Sequence, residues 1–138
     1  MILLDTHVTL ELMKTRPSDA VVAWLNGQAS EKLFVSAITI REVAYGLRIL
    51  PDDERRSGLR ERFVAVAFDQ RVLAYDESAA RICGELMGDR KELGLPMSVP
   101  DGQIAAIARL NHLAVATRNV LDFEHCGIDV LNPFEASS

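Results

Sequence analysis

Five short apolar runs punctuate the chain, separated by longer stretches whose hydrophobic positions recur at helical spacing. The first run, in Met1-Ile2-Leu3-Leu4-Asp5-Thr6, stops abruptly at a carboxylate, as a strand buried on both faces of a parallel sheet would. Leu33-Phe34-Val35 is a second strand, and residues 71–75, 113–117 and 128–131 supply three more. Between them the spacing predicts helices over 8–13, from Ser18 or Asp19 to 28, from Ser36 or Thr39 to about 50, and over 52–68, 76–93 and 102–111. The predicted inner faces are Val21, Val22, Trp24 and Leu25 in the second helix and Ile40, Val43, Ala44 and Leu47 in the third. In the fourth they are Leu59, Phe63 and Val66, with the arginines outward. Pro51 ends one helix, Gly94 closes another, and residues 96–100 form a loop in which Pro100 opens the next. Residues 120–123 read as a single turn. Strands alternating with helices predict an α/β fold, a three-layer α/β/α sandwich around a parallel five-stranded sheet.

At 138 residues this is expected to be one domain, 1–138, able to bury about two thirds of its extended surface. No apolar run is long enough to span a bilayer, and no basic region or small-residue cleavage site precedes the first strand, so a cytoplasmic protein without a signal peptide is expected. Cys83 and Cys126 match no metal-ligand spacing and read as buried reduced thiols. The formal charge of -5 argues against a broad nonspecific coat of nucleic acid but leaves room for a local one. Twelve of the fifteen basic residues are arginine, and Arg55, Arg56, Arg60 and Arg62 crowd one segment that reads most simply as a solvated helix face.

Asp5 falls at the carboxyl edge of the predicted sheet, where ligands bind because helices cover both faces. It also falls where a helix cap falls. Glu42, Asp101 and Asp122 repeat that placement, and each has a structural use as well. Thr39-Ile40-Arg41-Glu42 is a capping box in which Glu42 would reach back to the Thr39 N–H. Segments 98–101 and 119–122 offer similar pairings, and any first-turn acid gains from the helix dipole. Asp76 also follows a strand and opens a helix, and it is read as a cap only. If the sheet order gathers the strand ends, the acids share a crevice in which like charges about 4 Å apart repel by about 4 kcal/mol at an effective dielectric near ~20. A divalent cation relieves that repulsion. Oxygen-only ligation, with no nearby histidine or cysteine set, points to Mg2+ or Mn2+ rather than zinc. Such an ion activates water and stabilises developing charge in phosphodiester chemistry. An Asp-x-Asp phosphatase needs an acid where this chain has His7, and a receiver domain needs a late lysine, yet none follows Lys91.

Four segments in order, Leu3-Leu4-Asp5-Thr6, Ser36-Ala37-Ile38-Thr39-Ile40-Arg41-Glu42, Asp101-Gly102-Gln103-Ile104-Ala105-Ala106 and Ala116-Thr117-Arg118-Asn119-Val120-Leu121-Asp122-Phe123, resemble the successive motifs of the PIN-domain family. Their order, spacing and total length are similar to its VapC and FitB-like toxins, and the resemblance runs through Asn132-Pro133-Phe134. It implies an α/β/α ribonuclease that cuts RNA with Mg2+ or Mn2+. It further implies pairing with a small antitoxin, a homodimer, and higher assembly with that antitoxin, whose amphipathic helix would send a basic side chain toward the acids. It places Asp5, Glu42 and Asp101 as metal-binding and catalytic acids and Asp122 as the fourth, a role that some relatives give to the position of Asn119. Thr6 and Thr117 match small polar residues that orient the acids or a metal-bound water. His7 stands where relatives carry asparagine, which alters the surroundings of Asp5 and motivates the competing reading of a weakened, antitoxin-sequestered binding module. His112 and His125 read as surface or packing residues. Arg41, Arg48 and Arg118, near predicted strand ends, are candidate RNA contacts, each with solvation or internal pairing as the plainer alternative.

Overall fold

The computed structural model describes residues 1–69 and 71–135, with side chains left aside for 66–69. Strands β1 (Ile2–Leu4), β2 (Leu33–Ser36), β3 (Arg71–Leu73), β4 (Ala114–Ala116) and β5 (Val130–Leu131) form one parallel sheet in the order β3-β2-β1-β4-β5. Helices α1 (Thr6–Met13), α2 (Asp19–Asn26), α3 (Ala37–Ile49), α4 (Glu54–Asp69), α5 (Glu77–Glu92) and α6 (Val99–Leu110) make the crossovers. The expected sandwich is therefore the observed one.

Adjacent residues of the central strand enter different layers, which is why the run has no polar side. Leu3 packs with Ile104, Ile107 and Leu86 beneath α5 and α6, whereas Leu4 packs with Val8, Val35 and Trp24 beneath α1 and α2. Val115 and Ala116 divide between the same two layers. Both leucines are essentially removed from water, a contribution of about 1.5–3 kcal/mol each. A third cluster, Met13 with Val43 and Leu47, is closed over by Leu59 and Phe63 of α4.

Three strands are shorter than their predicted runs, β3 by two residues at its end, β5 by two at its start and β4 by one at each end, whereas β2 is one residue longer and ends at Ser36, where α3 begins. Helix α6 starts at Val99, three residues earlier than expected, since Ser98 rather than a residue after Pro100 accepts the first-turn N–H and Pro100 sits inside that turn. The buried stripe of α3 runs through Thr39, Val43 and Leu47, and Ala44 is exposed instead of inward. Val66 lies outside the residues whose side chains are described. Arg55 and Arg60 are exposed as expected, but Arg56 and Arg62 are half-buried, and Arg56 reaches Asp52 at 3.8 Å. Cys83 and Cys126 are buried free thiols.

The sheet order carries the functional consequence. The chain moves outward from β1 to β2 to β3, then returns to the other side of β1 for β4 and β5. Crossovers diverge at such a reversal, leaving a crevice at the carboxyl ends of β1 and β4. Asp5 stands there; Asp76 follows the edge strand β3 and caps α5, accepting from Ala79 N at 2.9 Å.

Candidate active site

Asp5 both caps a helix and lines the candidate site. Its backbone N–H extends the β1–β4 ladder to Ala116 O at 3.0 Å. Oδ1 then accepts from Val8 N at 2.9 Å, capping α1, and Oδ2 accepts from the Thr117 hydroxyl at 2.5 Å. Thr117 is completely buried and in turn accepts from Asn119 N at 3.0 Å. These contacts fix the carboxylate of a side chain whose residue is only 3 % exposed.

Glu42 does not form the predicted capping box. Strand β2 continues through Ser36, so Ser36 becomes the cap of α3 and accepts from Thr39 N at 3.2 Å. Glu42 is thereby carried past the first turn, where its Oε1 accepts from Thr6 Oγ1 at 2.7 Å. The Thr39 hydroxyl lies 3.0 Å from that of Thr6, completing a chain that joins α1 to α3. Asp101 arrives in the first turn of α6, its N–H directed to Ser98 Oγ at 3.3 Å. Next to it, Gly102 lies against α5: a Cβ there would stand 2.6 Å from Met87 Sδ, so the missing side chain sets how closely α6 approaches.

Asp5, Thr6, His7, Leu10, Glu42, Asp101 and Ile104 line one cleft of about 230 Å³. Three of the four predicted acids therefore converge. Asp122 does not line that cleft; it is exposed on the 3-10 turn Val120–Phe123, whose Phe123 is buried, and borders a neighbouring hollow. A hollow of about 360 Å³ with Arg109, His112 and Asp129 opens at the opposite, amino-terminal edge of the sheet, but it gathers no comparable set of acids. His112 and His125 are exposed turn residues with φ of 57° and 60°. Arg41 and Arg118 are exposed near the acid edge. Arg48 is also exposed but lies away from that edge, in the last turn of α3, six residues beyond Glu42 and hence about 9 Å further along the helix axis.

The electrostatics join all four acids. Burial raises the proton affinity of Asp5, opposed by the Thr117 hydroxyl, the Val8 N–H and the nearby charge of His7. Burial is also the main cause raising Asp101; its hydrogen bond with Ser98 works against this, and the charges of Asp122, Asp5 and Glu42 add to it. Among the described residues none of the four acids is in an ion pair. Nor, among those residues, are any three histidine, cysteine, aspartate or glutamate side chains packed into a ready-made cage for an ion. The donor set nevertheless suits a hard divalent cation: carboxylate oxygens, two of the acids resisting ionisation, and no ion pair among the described residues that neutralises them.

A residue that sequence reasoning missed is Arg90. It is 3 % exposed, and its guanidinium donates to Leu95 O at 2.9 Å, Leu121 O at 3.2 Å and Glu124 O at 2.6 Å. It thereby braces the turn that carries Asp122. The signal was present, since Arg90 continues the buried stripe of Ala79, Cys83 and Leu86 along α5.

The PIN domain family matches residues 2–125. The chain is 41% identical over 138 residues to the VapC ribonuclease Y4jK of Sinorhizobium fredii, covering 98% of this chain and 99% of that protein. It is 36% identical over 137 residues to the toxin FitB of Neisseria gonorrhoeae, covering 97% and 99%. Its fold is similar to that in a structure of FitAB bound to an IR36 DNA fragment, with a TM-score of 0.94 and 33% identity over 100% of this chain and 99% of the other. With its topology and its acid-lined crevice, the chain belongs to the PIN-domain family and is a homologue of the VapC and FitB proteins.

Proposed function

We propose that this protein is a Mg2+- or Mn2+-dependent endoribonuclease, the toxin of a toxin–antitoxin pair. The observation that carries the reading is that Asp5, Glu42 and Asp101, from three separate elements, line one cleft at the reversal point of the sheet. The ribonuclease and toxin activities named for its relatives support the same chemistry and biology.

In this reading Asp5, Glu42 and Asp101 would hold the cation, with Asp122 adding its charge from the neighbouring hollow. The chemistry such an ion would supply when bound is Lewis acidity, toward water and toward the scissile phosphate. The rest is done by the chain. Thr117 holds the Asp5 carboxylate in one orientation, and Thr6, itself steadied by Thr39, does the same for Glu42. Asn119 supports Thr117 through its backbone N–H, and His7 on the cleft wall favours ionised Asp5. Arg41 offsets the acidic edge for an incoming phosphate backbone, Arg118 contacts the RNA at the same edge, and Arg48 would be reached only by RNA lying along α3. We assign the partners as RNA, an antitoxin that presents a basic side chain to the acids, and a second copy of the chain, with higher assembly through the antitoxin. No helix among the described residues is long and apolar enough to cross a membrane.

Purified protein supplied with Mn2+ should cut single-stranded RNA, and Asp5→Asn or Asp101→Asn should abolish cutting while the circular dichroism spectrum stays native. Full activity in both variants overturns the assignment. Calorimetry that detects no divalent-cation binding to folded wild-type protein would instead favour a sequestered binding module with His7 as its mark.

A further inference from the structure

Beside the acid cleft lies a second hollow, of about 370 Å³, whose walls include Arg118, Asn119, Asp122, Asn132 and Glu135. We propose that it seats one unpaired nucleobase of the RNA next to the scissile phosphate, with the Arg118 guanidinium as stacking surface and the Asn119 amide reading the base edge. The inference rests on the RNA reading above and adds a specificity site to it.

The hollow is built rather than incidental. The Arg118 guanidinium carbon lies 4.2 Å from the centre of the Phe134 ring, over its face. Phe134 is anchored on the core that contains Leu4, Val8 and Ala116. Its backbone N–H donates to Asn132 Oδ1 at 2.9 Å, and the Asn132 amide reaches the Arg118 carbonyl at 3.5 Å. The Asn-Pro-Phe segment thus clamps Arg118 from below while the residue remains exposed. A planar guanidinium fixed on an aromatic ring presents its opposite face to whatever enters, and bases stack on such faces without regard to sequence.

Charge chooses the occupant. Asp122 and Glu135 border the hollow, and Asp122 is also the acid that most affects Asp101. A phosphate placed among these carboxylates would be repelled, whereas a neutral base is not. Among the described residues the Asn119 side chain makes no hydrogen bond, while its backbone N–H is held by Thr117. An amide so placed can both donate and accept, as a base edge requires. Because Asp122 borders the hollow and its charge reaches Asp101, a base seated there belongs to a nucleotide adjoining the cut. Only an unpaired base can swing out to reach it.

The test uses the full chain, Mn2+, and a short unstructured RNA whose cut site has been mapped, remade with one abasic nucleotide at successive positions. One position beside the cut should show KM raised on the order of tenfold. Arg118→Lys, which keeps the charge and loses the flat face, should raise KM on intact RNA and remove the extra loss at that abasic position. Asn119→Ala should flatten the preference among bases at the same nucleotide. Equal KM at every abasic position, or an Arg118→Lys variant that still suffers the full abasic penalty, overturns the proposal. Anisotropy of labelled RNA bound to the protein separates this from failure of the nuclease reading. If nothing is cut but the abasic penalty appears in Kd and vanishes in Arg118→Lys, the base seat stands and the nuclease assignment falls. If intact and abasic RNAs bind equally, or neither binds, the base seat falls.

Discussion

Removing the Thr117 hydroxyl tests the link between the fold and the site most directly. Thr117→Val deletes one oxygen at nearly constant volume from a fully buried position. The hydroxyl donates to ionised Asp5 at 2.5 Å and accepts from Asn119 N at 3.0 Å. A hydrogen bond to a charged group contributes about 1.5–3 kcal/mol, and a buried N–H left without an acceptor costs about 1–3 kcal/mol. The Asn119 N–H is only part-buried, so water recovers much of the second loss, and the expected destabilisation is about 3 kcal/mol. At this chain length that lowers Tm by about 10 °C. The loss should also depend on pH in a definite direction. The Asp5 carboxyl already has a raised proton affinity, because burial outweighs the groups favouring its ionised form, of which Thr117 is the strongest. An acid whose folded pKa lies above its unfolded value gives stability that is present below the unfolded value and lost as pH rises through the folded one. Without Thr117 that window extends further upward from 3.8, so the Tm deficit should be larger at pH 7 than at pH 4. Under the proposed metal assignment Mn2+ binding displaces the same proton, so its acid limb should move to higher pH. Differential scanning calorimetry across pH and Mn2+ titration provide the two readouts, with Thr117→Ser expected to resemble wild type in both. A pH-independent deficit together with an unmoved Mn2+ profile would refute the reasoning.

Other perturbations separate the site from its scaffold. Asp101→Asn removes a carboxyl whose proton affinity is raised by burial and by three neighbouring acids; the metal-free protein should therefore be more stable than wild type at pH 7, though not below pH 3.8, and its melting should no longer respond to added Mn2+. Arg90→Met takes the guanidinium from three carbonyls, of which Leu121 O keeps the Glu124 N–H and Glu124 O keeps the Cys126 thiol, while Leu95 O is left without a donor among the described residues. It should cost about 1–3 kcal/mol with faster amide exchange across residues 121–124; Arg90→Lys should recover part of both. Gly102→Ala places a methyl against Met87 and should lower stability by about 1–3 kcal/mol in chemical denaturation, with a less-than-additive loss when combined with Met87→Ala.

Much of the architecture was legible from local pattern. Leu3 and Leu4 have no polar face between them, so a strand buried on both sides was the simplest home for them, and successive residues do enter opposite layers. Ser36, Asp76 and Ser98 act as caps because a short side chain with an oxygen acceptor satisfies the N–H groups that a helix start leaves open. The site was legible only in part. Asp5 and Asp76 have the same local grammar, a strand before and a helix after, yet one enters the cleft and the other does not. The difference is the position of their strands in the sheet, central against edge, which pairing among distant segments decides.

Glu42 shows the same division at atomic scale. Four residues of sequence permit a capping box, but where β2 ends determines which residue caps, and so whether Glu42 turns to its own backbone or to Thr6. The contact between Asp5 and Thr117 spans 112 residues, and no local spacing specifies it. Apolar periodicity and capping chemistry act over a turn or two, so the chain alone determines its elements and their buried faces. Which carboxylates meet, how closely Gly102 lets α6 approach, and why an arginine lies under the turn of Asp122 were decided by tertiary packing, where a side chain's role depends on what the rest of the chain brings within reach.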